Sequence, residues 1–188
     1  DDAVESGGEM VERELRQRRA QAVGDRARGL LDGPRGEPAR GQGLRGVGGQ
    51  SLAEAWGTEG AKTHLGFATA GFPNMLIVAN VGSPSVLANM VTGIEQHVDW
   101  LVRLFNDMRD NGYTFIEAEE EAQNQWAATV EEVDGMTLWP NGDSGSWYRG
   151  ANIEGKPQLF MPYAAGVVEY GNAIEASAAD DYAGFVRS

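Results

Sequence analysis

The hydrophobic pattern is most regular in the middle of the chain, where a continuous apolar run is followed by a periodic one. The continuous run, Met75–Val81, predicts a strand that is covered on both faces. The periodic run predicts a helix over residues 84–109, because Ser83 can serve as its N-cap and Pro84 fits its first turn. Such a strand–turn–helix unit points free N–H groups beyond the strand's carboxyl end, where open α/β folds bind nucleotide cofactors. The pattern therefore predicts an α/β fold with a cofactor site at this junction, although a well-capped helix without a ligand accounts for the same residues.

The predicted helix carries one apolar face and has a clear end. The dipeptide Asn111–Gly112 is a typical helix terminator. The apolar positions recur every three or four residues; they are Val86, Leu87, Met90, Val91, Ile94, Val98, Leu101, Val102 and Phe105. If the sheet that this face should cover is not part of the chain, we expect the face to be exposed.

The second half of the chain predicts one more helix and a long loop. A capping box, Thr114–Glu117, starts a helix whose apolar face includes Trp126 and Val130. The loop over residues 138–158 is rich in Gly, Asn, Asp and aromatic residues. Leu159–Tyr163 reads as a short strand or extended segment, and the remaining residues show no clear pattern. We therefore predict a helix-rich fold with one or two strands.

The start of the chain differs in composition from the rest. Residues 1–50 contain no Phe, Trp, Tyr, Ile, Thr or Asn, but they hold eleven glycines and nine of the fifteen basic residues. A segment with so few large apolar groups cannot bury enough surface to offset its chain entropy. We predict that residues 1–48 are a disordered tail or an aberrant segment, such as the product of out-of-frame reading of a GC-rich gene. Residues 49–188 are then the folded part.

One motif in the first part of the chain imitates a nucleotide-binding site. Residues Gly41–Gly46 fit the dinucleotide pattern G-x-G-x-x-G letter for letter. The pattern has its physical meaning only when a strand precedes it and a helix begins inside it. The flanking residues predict neither element, so we interpret the match as a coincidence in a glycine-rich tract.

Charge and composition exclude several kinds of partner. The formal net charge of −13 argues against nucleic acid and anionic membranes. The absence of cysteine and the presence of only His64 and His97 argue against disulfides and against thiolate or histidine-rich metal sites. No stretch approaches the roughly 20 apolar residues that span a bilayer. We predict a cytoplasmic protein that binds no nucleic acid, membrane or metal. Because the chain opens on Asp1 and not on Met, we expect it to be a piece of a longer protein.

Three polar or aromatic features have both a functional and a structural interpretation. His97 borders the apolar helix face, and we favour a hydrogen-bonded structural histidine over a catalyst. The acidic run Glu117–Glu121 suits the first turn of a helix, so we interpret it as a solvated face and not a metal site. Trp147 and Tyr148 lie among glycines in the long loop, where a flap over a flat ligand and an ordinary packed loop explain them about equally well.

Five segments of the chain coincide with motifs of one enzyme family. They are Phe72–Asn74 (FPN), Gly82–Met90 (GSPSVLANM), Ile94–Trp100 (IEQHVDW), Ser146–Asn152 (SWYRGAN) and Gly155–Pro157 (GKP). Together they resemble the carboxyl-terminal third of Baeyer–Villiger monooxygenases of the phenylacetone and cyclohexanone monooxygenase type. The likeness extends from about Gly49 to Phe185, with the segments in the family's order and spacing.

The resemblance implies an activity, two cofactors and several site residues. Enzymes of this family bind FAD and NADPH on two dinucleotide-binding domains and insert an oxygen atom beside the carbonyl of a ketone substrate, which gives an ester or lactone. The resemblance implies that Met90 contacts the flavin, with Asn89 nearby, and that Trp147 belongs to a control loop, residues 140–158, that closes over NADP. It places three residues beside the substrate pocket: Ser85, Val86 and Leu87. The chain would then be the carboxyl-terminal portion of an enzyme with two dinucleotide-binding domains.

The sequence also departs from the family pattern. Val81 stands where relatives have proline, and Glu154 and Gln158 replace a proline and an arginine of the control loop. The family's FAD- and NADP-binding glycine motifs, its linker fingerprint and its catalytic arginine lie upstream in relatives and are not found here, so we expect this chain to be inactive alone. Two alternatives are a fragment of another flavin-containing monooxygenase, which oxygenates nitrogen or sulfur, and a non-catalytic α-rich interaction module or remnant.

Overall fold

The computed structural model describes residues 43–84, 88–137, 147–149, 157 and 159–188. These residues form α1 (Leu52–Glu59), α2 (Met90–Asn111), β1 (Ile116–Ala118), α3 (Glu120–Gly135), α4 (Gly166–Ala179) and β2 (Phe185–Arg187), with short 3-10 helices at Val47–Gly49 and Trp147–Arg149. The predicted helix-rich fold with one or two strands is confirmed. Most of the predicted tail, residues 1–48, lies outside the described ranges, so its boundary stays a prediction. None of the helices in the described ranges combines the length and apolar composition needed to span a bilayer.

The long helix α2 begins at Met90, later than the predicted start at Pro84. Asn89 is its N-cap, because the Asn89 side chain accepts a hydrogen bond from the N–H of Val91 at 3.0 Å. The predicted cap, Ser83, is buried in a turn, where its hydroxyl donates to the carbonyl oxygen of Asn80 at 2.6 Å. The predicted start is therefore wrong, because the backbone at Asn89 is extended and the helix is capped there, five residues after Pro84.

The carboxyl end of α2 is confirmed, but the helix buries a different face from the one predicted. Gly112 ends the helix in the left-handed conformation, with its N–H donating to Arg109 O. The buried residues of α2 are His97, Trp100, Leu101, Leu104 and Met108. The exposed apolar residues of the helix are Met90, Val91, Ile94, Val98, Val102 and Phe105. The predicted face is thus largely exposed, as expected if the sheet that covers it lies outside this chain.

Residues 75–81 do not form the predicted strand. Turns lie at both ends of the apolar run, with positive φ at Asn74 (57°) and Ala79 (55°). One backbone hydrogen bond, from the N–H of Ile77 to Phe67 O at 2.9 Å, joins the run to a neighbouring segment. A strand needs a continuous hydrogen-bond ladder with a neighbour, and the described part of the chain places no strand beside it. The strand prediction is therefore wrong, although the run is partly buried.

The two observed strands come from segments that the sequence analysis assigned differently. β1 and β2 pair antiparallel, with Ile116 opposite Arg187. The predicted capping box at Thr114–Glu117 is wrong, because the Thr114 N–H donates to Ser188 O at 2.7 Å and the segment continues into β1. The end of the chain, which shows no clear pattern, forms α4 and β2. Its Ala- and Gly-rich helix lacks the contrast between apolar and polar positions on which periodicity depends.

An aromatic cluster forms the centre of the described fold. The rings of Trp100 and Phe67 stack with their centroids 4.5 Å apart. The two indoles of this cluster have hydrogen-bond partners: Trp100 Nε1 donates to Ile174 O at 2.8 Å, and Trp126 Nε1 donates to Gly82 O at 3.0 Å. The two bonds satisfy polar atoms that would otherwise be costly to bury. They connect α2 to α4, and α3 to the turn that precedes α2.

Candidate functional site

The residues expected to lie near the flavin are at the amino end of α2. Asn89 and Met90 are both exposed to solvent there. The three residues expected to border the substrate pocket lie outside the described residues; they are Ser85, Val86 and Leu87. The roles of all five stay predictions. The structure shows that Asn89 and Met90 are accessible and that Asn89 caps α2.

A small cavity lies between the amino end of α2 and the preceding turn. Its walls include Pro84, Met90 and His97, and its volume is about 10 Å³. That space holds about one water molecule and is far too small for a planar three-ring cofactor. Among the described residues no strand precedes the turn, and α2 starts at Met90 and not at Pro84, so these residues do not form the strand–turn–helix unit on which the predicted cofactor cradle depends.

A buried hydrogen-bond chain runs through His97, which also lines this cavity. The Ala79 N–H donates to His97 Nδ1 at 3.1 Å, so the neutral ring carries its proton on Nε2. Nε2 lies 2.6 Å from the hydroxyl oxygen of Tyr170, and that hydroxyl donates to Leu65 O at 2.6 Å. The Nε2–H therefore donates to Tyr170 Oη. The chain links the turn before α2, helix α2, helix α4 and the loop at Leu65.

Burial fixes the protonation states of this hydrogen-bond chain. Desolvation lowers the pKa of His97 to about 4 and raises the pKa of Tyr170 well above its ordinary value. His97 is therefore neutral near pH 7, and both of its ring nitrogens have partners. These are the properties of a structural histidine, the interpretation that the sequence favours.

Replacing Tyr170 by phenylalanine is expected to lower the free energy of unfolding by about 2 kcal/mol. The variant removes the partner of both Leu65 O and the His97 Nε2–H, which stay buried. Urea unfolding followed by tryptophan fluorescence measures the change. The control is Tyr113→Phe, because Tyr113 lies at the surface, and its expected effect is below about 0.5 kcal/mol. Equal losses in the two variants would contradict the assigned role.

Trp147 lies in a 3-10 helix, Trp147–Arg149, whose backbone is tied to the rest of the fold. The Met161 N–H donates to Tyr148 O at 2.9 Å. Arg149 forms an ion pair with Asp134, whose side chain is almost completely buried. The Trp147 side chain and most of the predicted control loop lie outside the described residues, so the cofactor role of Trp147 stays a prediction.

The pair formed by Asp134 and Arg149 is a feature that the sequence predictions miss, although the sequence carries a signal for it. Asp134 follows Trp126 and Val130 at intervals of four residues, so it lies on the buried face of α3. A carboxylate at a core-facing position requires a cation or several hydrogen-bond donors. The position of Asp134 on the apolar face therefore called for a cationic partner from elsewhere in the chain.

The exposed apolar side of α2 forms a continuous surface. We define the α2 face by its residues Val91, Ile94, Val98, Val102 and Phe105, all of which are exposed. An open groove of about 630 Å³, lined by Phe105, Leu76 and Tyr113 among others, continues this face at the carboxyl end of the helix. Contiguous apolar surface of this kind is typical of a protein interface. Across the described ranges, no group of three His, Asp or Glu residues is placed to hold a metal ion.

The chain is similar in sequence to several monooxygenases. It is 38% identical over 137 residues to the cyclopentanone 1,2-monooxygenase of Comamonas sp. (strain NCIMB 9872), which is 73% of this chain and 24% of the relative. It is 35% identical to a Baeyer–Villiger monooxygenase of Pseudooceanicola batsensis, with 77% of this chain and 26% of the relative aligned. It is also 35% identical to a phenazine N-monooxygenase of Lysobacter antibioticus, with 76% and 26% aligned. No protein-family model matches the chain.

Solved structures of monooxygenases share the fold. A steroid monooxygenase bound to NADP superposes with a TM-score of 0.67 at 36% identity, covering 76% of this chain and 25% of that protein. A cyclohexanone monooxygenase from Rhodococcus sp. Phi1 bound to NADP⁺ gives a TM-score of 0.70 at 31% identity, covering 77% and 26%. A complex of the enzyme called OTEMO with FAD and NADP gives a TM-score of 0.66 at 30% identity, covering 77% and 26%.

Sequence and fold together define the family of the chain. The chain belongs to the Baeyer–Villiger monooxygenase family, and its described fold matches the carboxyl-terminal part of that family's structures. The family predicted from the five sequence segments is confirmed. The chain spans about a quarter of the length of the relatives that it matches.

Proposed function

We propose that this chain supplies the carboxyl-terminal part of a Baeyer–Villiger monooxygenase that uses FAD and NADPH to insert an oxygen atom beside a ketone carbonyl. The observation that carries the proposal is the agreement of sequence and fold over three quarters of the chain with these enzymes. In the complete enzyme, the flavin supplies the oxygen activation and NADPH supplies the hydride. The described residues supply binding surface and shape.

Within this proposal, the amino end of α2 borders the flavin. Asn89 and Met90 are exposed there, so a cofactor can reach them, and the thioether of Met90 is a suitable apolar contact for a flat ring. Ser85, Val86 and Leu87 would border the ketone, and Trp147 would lie near NADP. These roles rest on the family resemblance, and the cytoplasmic location likewise stays a prediction from the sequence.

The α2 face supports the view that the chain works together with further protein. Its residues recur at the three- and four-residue spacing of a face that packs against another element. The small cavity at the amino end of α2 cannot enclose a flavin. A protein surface that covers the α2 face would explain the first observation, and it would also provide the missing wall for the cofactor. We propose that this surface belongs to the remaining part of the monooxygenase.

Ketone-dependent NADPH oxidation is expected only when the chain is completed by the rest of such an enzyme. The experiment co-purifies the 188-residue chain with a cyclohexanone monooxygenase that lacks its matching carboxyl-terminal segment, and adds FAD, NADPH and cyclohexanone. We expect a complex with NADPH oxidation and lactone formation, whereas each part alone is inactive. Tight flavin binding or ketone-dependent NADPH oxidation by the chain alone would contradict the proposal, as would the absence of both complex and activity.

A pair of surface variants makes this experiment specific. Val98→Glu places a carboxylate in the middle of the α2 face and is expected to abolish complex formation without changing the stability of the chain alone, because Val98 is exposed. The matched control is Val168→Glu, an equally simple change at an exposed valine of α4, outside the α2 face. Equal loss of complex in both variants would mean that the α2 face is not the contact surface.

A second candidate function is oxygenation of a ring nitrogen. The observation that favours it is the 35% identity to a phenazine N-monooxygenase, which is close to the identity to the ketone-acting relatives. The completed enzyme described above distinguishes the two when ketones and aromatic N-heterocycles are supplied separately. An ester or lactone product supports the first function, and an N-oxide supports the second.

A further inference from the structure

Asp134 occupies a position at which a carboxylate is unfavourable on two counts. Its side chain is 1% exposed, so its charge is removed from water. It also lies in the last turn of α3, near the negative end of the helix dipole, and that turn contains no basic residue of its own. A carboxylate in this position needs a cation from outside the helix.

Arg149 supplies that cation from the 3-10 helix Trp147–Arg149. Its guanidinium pairs with the Asp134 carboxylate, and its side chain is 24% exposed. The same guanidinium lies over the ring of Phe160, with 5.6 Å between Cζ and the ring centroid. The turn is also held by its backbone, because the Met161 N–H donates to Tyr148 O at 2.9 Å. The Arg149 side chain thus fixes the 3-10 helix to α3 and to Phe160, and the Tyr148 carbonyl fixes it to Met161.

We propose that Arg149 is a positioning residue, and that its ion pair with Asp134 anchors on helix α3 the turn that carries Trp147. Arg149 lies two residues after Trp147 in the same 3-10 helix, so the anchor determines where the Trp147 backbone stands relative to α3. Any effect of this anchor on NADP binding rests on the proposed function. The anchor itself does not, because every contact that defines it lies within this chain.

The charge pairing makes a specific prediction about single and double changes. Removing the cation leaves a buried carboxylate with only a long hydrogen bond from the Thr137 hydroxyl, at 3.4 Å, and no opposite charge. Removing the carboxylate charge leaves the guanidinium without its anionic partner, so either change should release the turn. Because both changes break one interaction, their effects should not add. Arg149→Lys keeps a cation and should preserve most of the anchoring, although the planar guanidinium is the better partner for a carboxylate and an aromatic ring.

The test follows amide hydrogen exchange in the full chain without cofactors. The Met161 amide reports the docked turn, because its acceptor is Tyr148 O. The Glu119 amide, which donates to Gly184 O at 2.9 Å, reports the rest of the fold. Arg149→Met and Asp134→Asn are each expected to speed Met161 exchange by at least about tenfold, and Glu119 exchange by less than about threefold. The double variant should exchange no faster than the faster single variant, and Arg149→Lys should stay within about threefold of the unchanged chain.

The matched control is Arg103→Met, which breaks an ion pair with Glu175 at the surface. It should leave Met161 exchange unchanged, because exposed pairs contribute little. The inference is overturned if Arg149→Met behaves like this control, if the two single effects add, or if Arg149→Lys loses protection as fully as Arg149→Met. If Arg149→Met unfolds the chain, the Met161 and Glu119 amides will exchange equally fast. The results for Asp134→Asn and Arg149→Lys then decide whether the ion pair anchors the turn. The exchange experiment could give the expected result while the chain fails to form an active complex with the truncated cyclohexanone monooxygenase. The anchoring role of Arg149 would then stand, and only its proposed connection to NADP would be lost.

Discussion

Replacing Gly82 by alanine is expected to lower the free energy of unfolding by about 3–4 kcal/mol. Gly82 has a φ of 81°, and a β-carbon there would lie 2.8 Å from Trp126 Nε1 and 3.1 Å from Thr63 Oγ1. The left-handed backbone alone costs alanine about 1 kcal/mol. The larger part comes from displacing a buried indole whose N–H donates to Gly82 O. The turn before α2 therefore requires glycine for its conformation and for the close approach of α3.

Gly112→Ala is the matched control for this variant. Gly112 has a similar φ of 74°, but no atom lies within 4 Å of the position that a β-carbon would take. Its expected loss is about 1 kcal/mol, the backbone part alone. Urea unfolding of both variants, followed by tryptophan fluorescence, measures the difference. Similar losses for the two glycines would show that the indole of Trp126 does not pack against Gly82 as described.

Acidification is expected to destabilise the chain by about 2 kcal/mol between pH 6.5 and pH 5 through His97. The folded pKa of His97 is about 4, whereas an unfolded histidine titrates near pH 6.5. Between these values the unfolded chain binds a proton that the folded chain does not, so acid favours unfolding. The stabilising effect of the neutral ring is complete above pH 6.5 and is lost as the pH falls toward 4. Burial also lowers the pKa of His64, which adds a loss in the same direction.

The measurement is urea unfolding at intervals from pH 7.5 to pH 5, above the range where most carboxylates titrate. His97→Gln is the informative variant, because its amide can accept from the Ala79 N–H and donate to Tyr170 but cannot titrate. We expect this variant to be less stable than the unchanged chain at pH 7.5 and to lose less stability on acidification. The loss that remains should be the contribution of His64. Parallel pH profiles for the two proteins would be evidence against a buried neutral His97.

The parts of the fold that the sequence predicts correctly are those determined by local residues. The end of α2 at Gly112 follows from the left-handed conformation that glycine allows. The apolar face of α3 at Trp126 and Val130 follows from helical spacing. The family is also predicted correctly, because that prediction depends on five sequence segments in a fixed order and not on the secondary structure assigned to each of them.

Most of the errors arise where residues distant in the sequence decide the local structure. Met75–Val81 has the composition of a strand, but no partner strand in the described residues gives it a ladder. Thr114–Glu117 has the letters of a capping box, but its backbone pairs with the end of the chain. Ser83 has the side chain of an N-cap, but Asn89 caps the helix, and the Ser83 hydroxyl donates to Asn80 O within the preceding turn. In the first two cases tertiary pairing decides against the local preference, and in the third a second candidate cap lies closer to the observed start.

The candidate site shows the same division. The resemblance indicates Asn89 and Met90, and the structure adds their exposure and the capping role of Asn89. The hydrogen-bond chain from His97 to Tyr170 joins residues 73 positions apart, and no local pattern indicates that partner. The pairing of Asp134 with Arg149 also crosses a long loop, so only the need of Asp134 for a cation was visible.

The pairing of β1 with β2 has a consequence during synthesis on the ribosome. Ile116 pairs with Arg187, which is synthesised roughly 70 residues later, so the two-stranded sheet cannot form before then. At about 5–20 residues per second, translation leaves β1 without its partner for about 4 to 14 seconds. During that interval the nascent chain presents an unpaired strand edge beside apolar helices, so β1 is a natural point of contact for a chaperone.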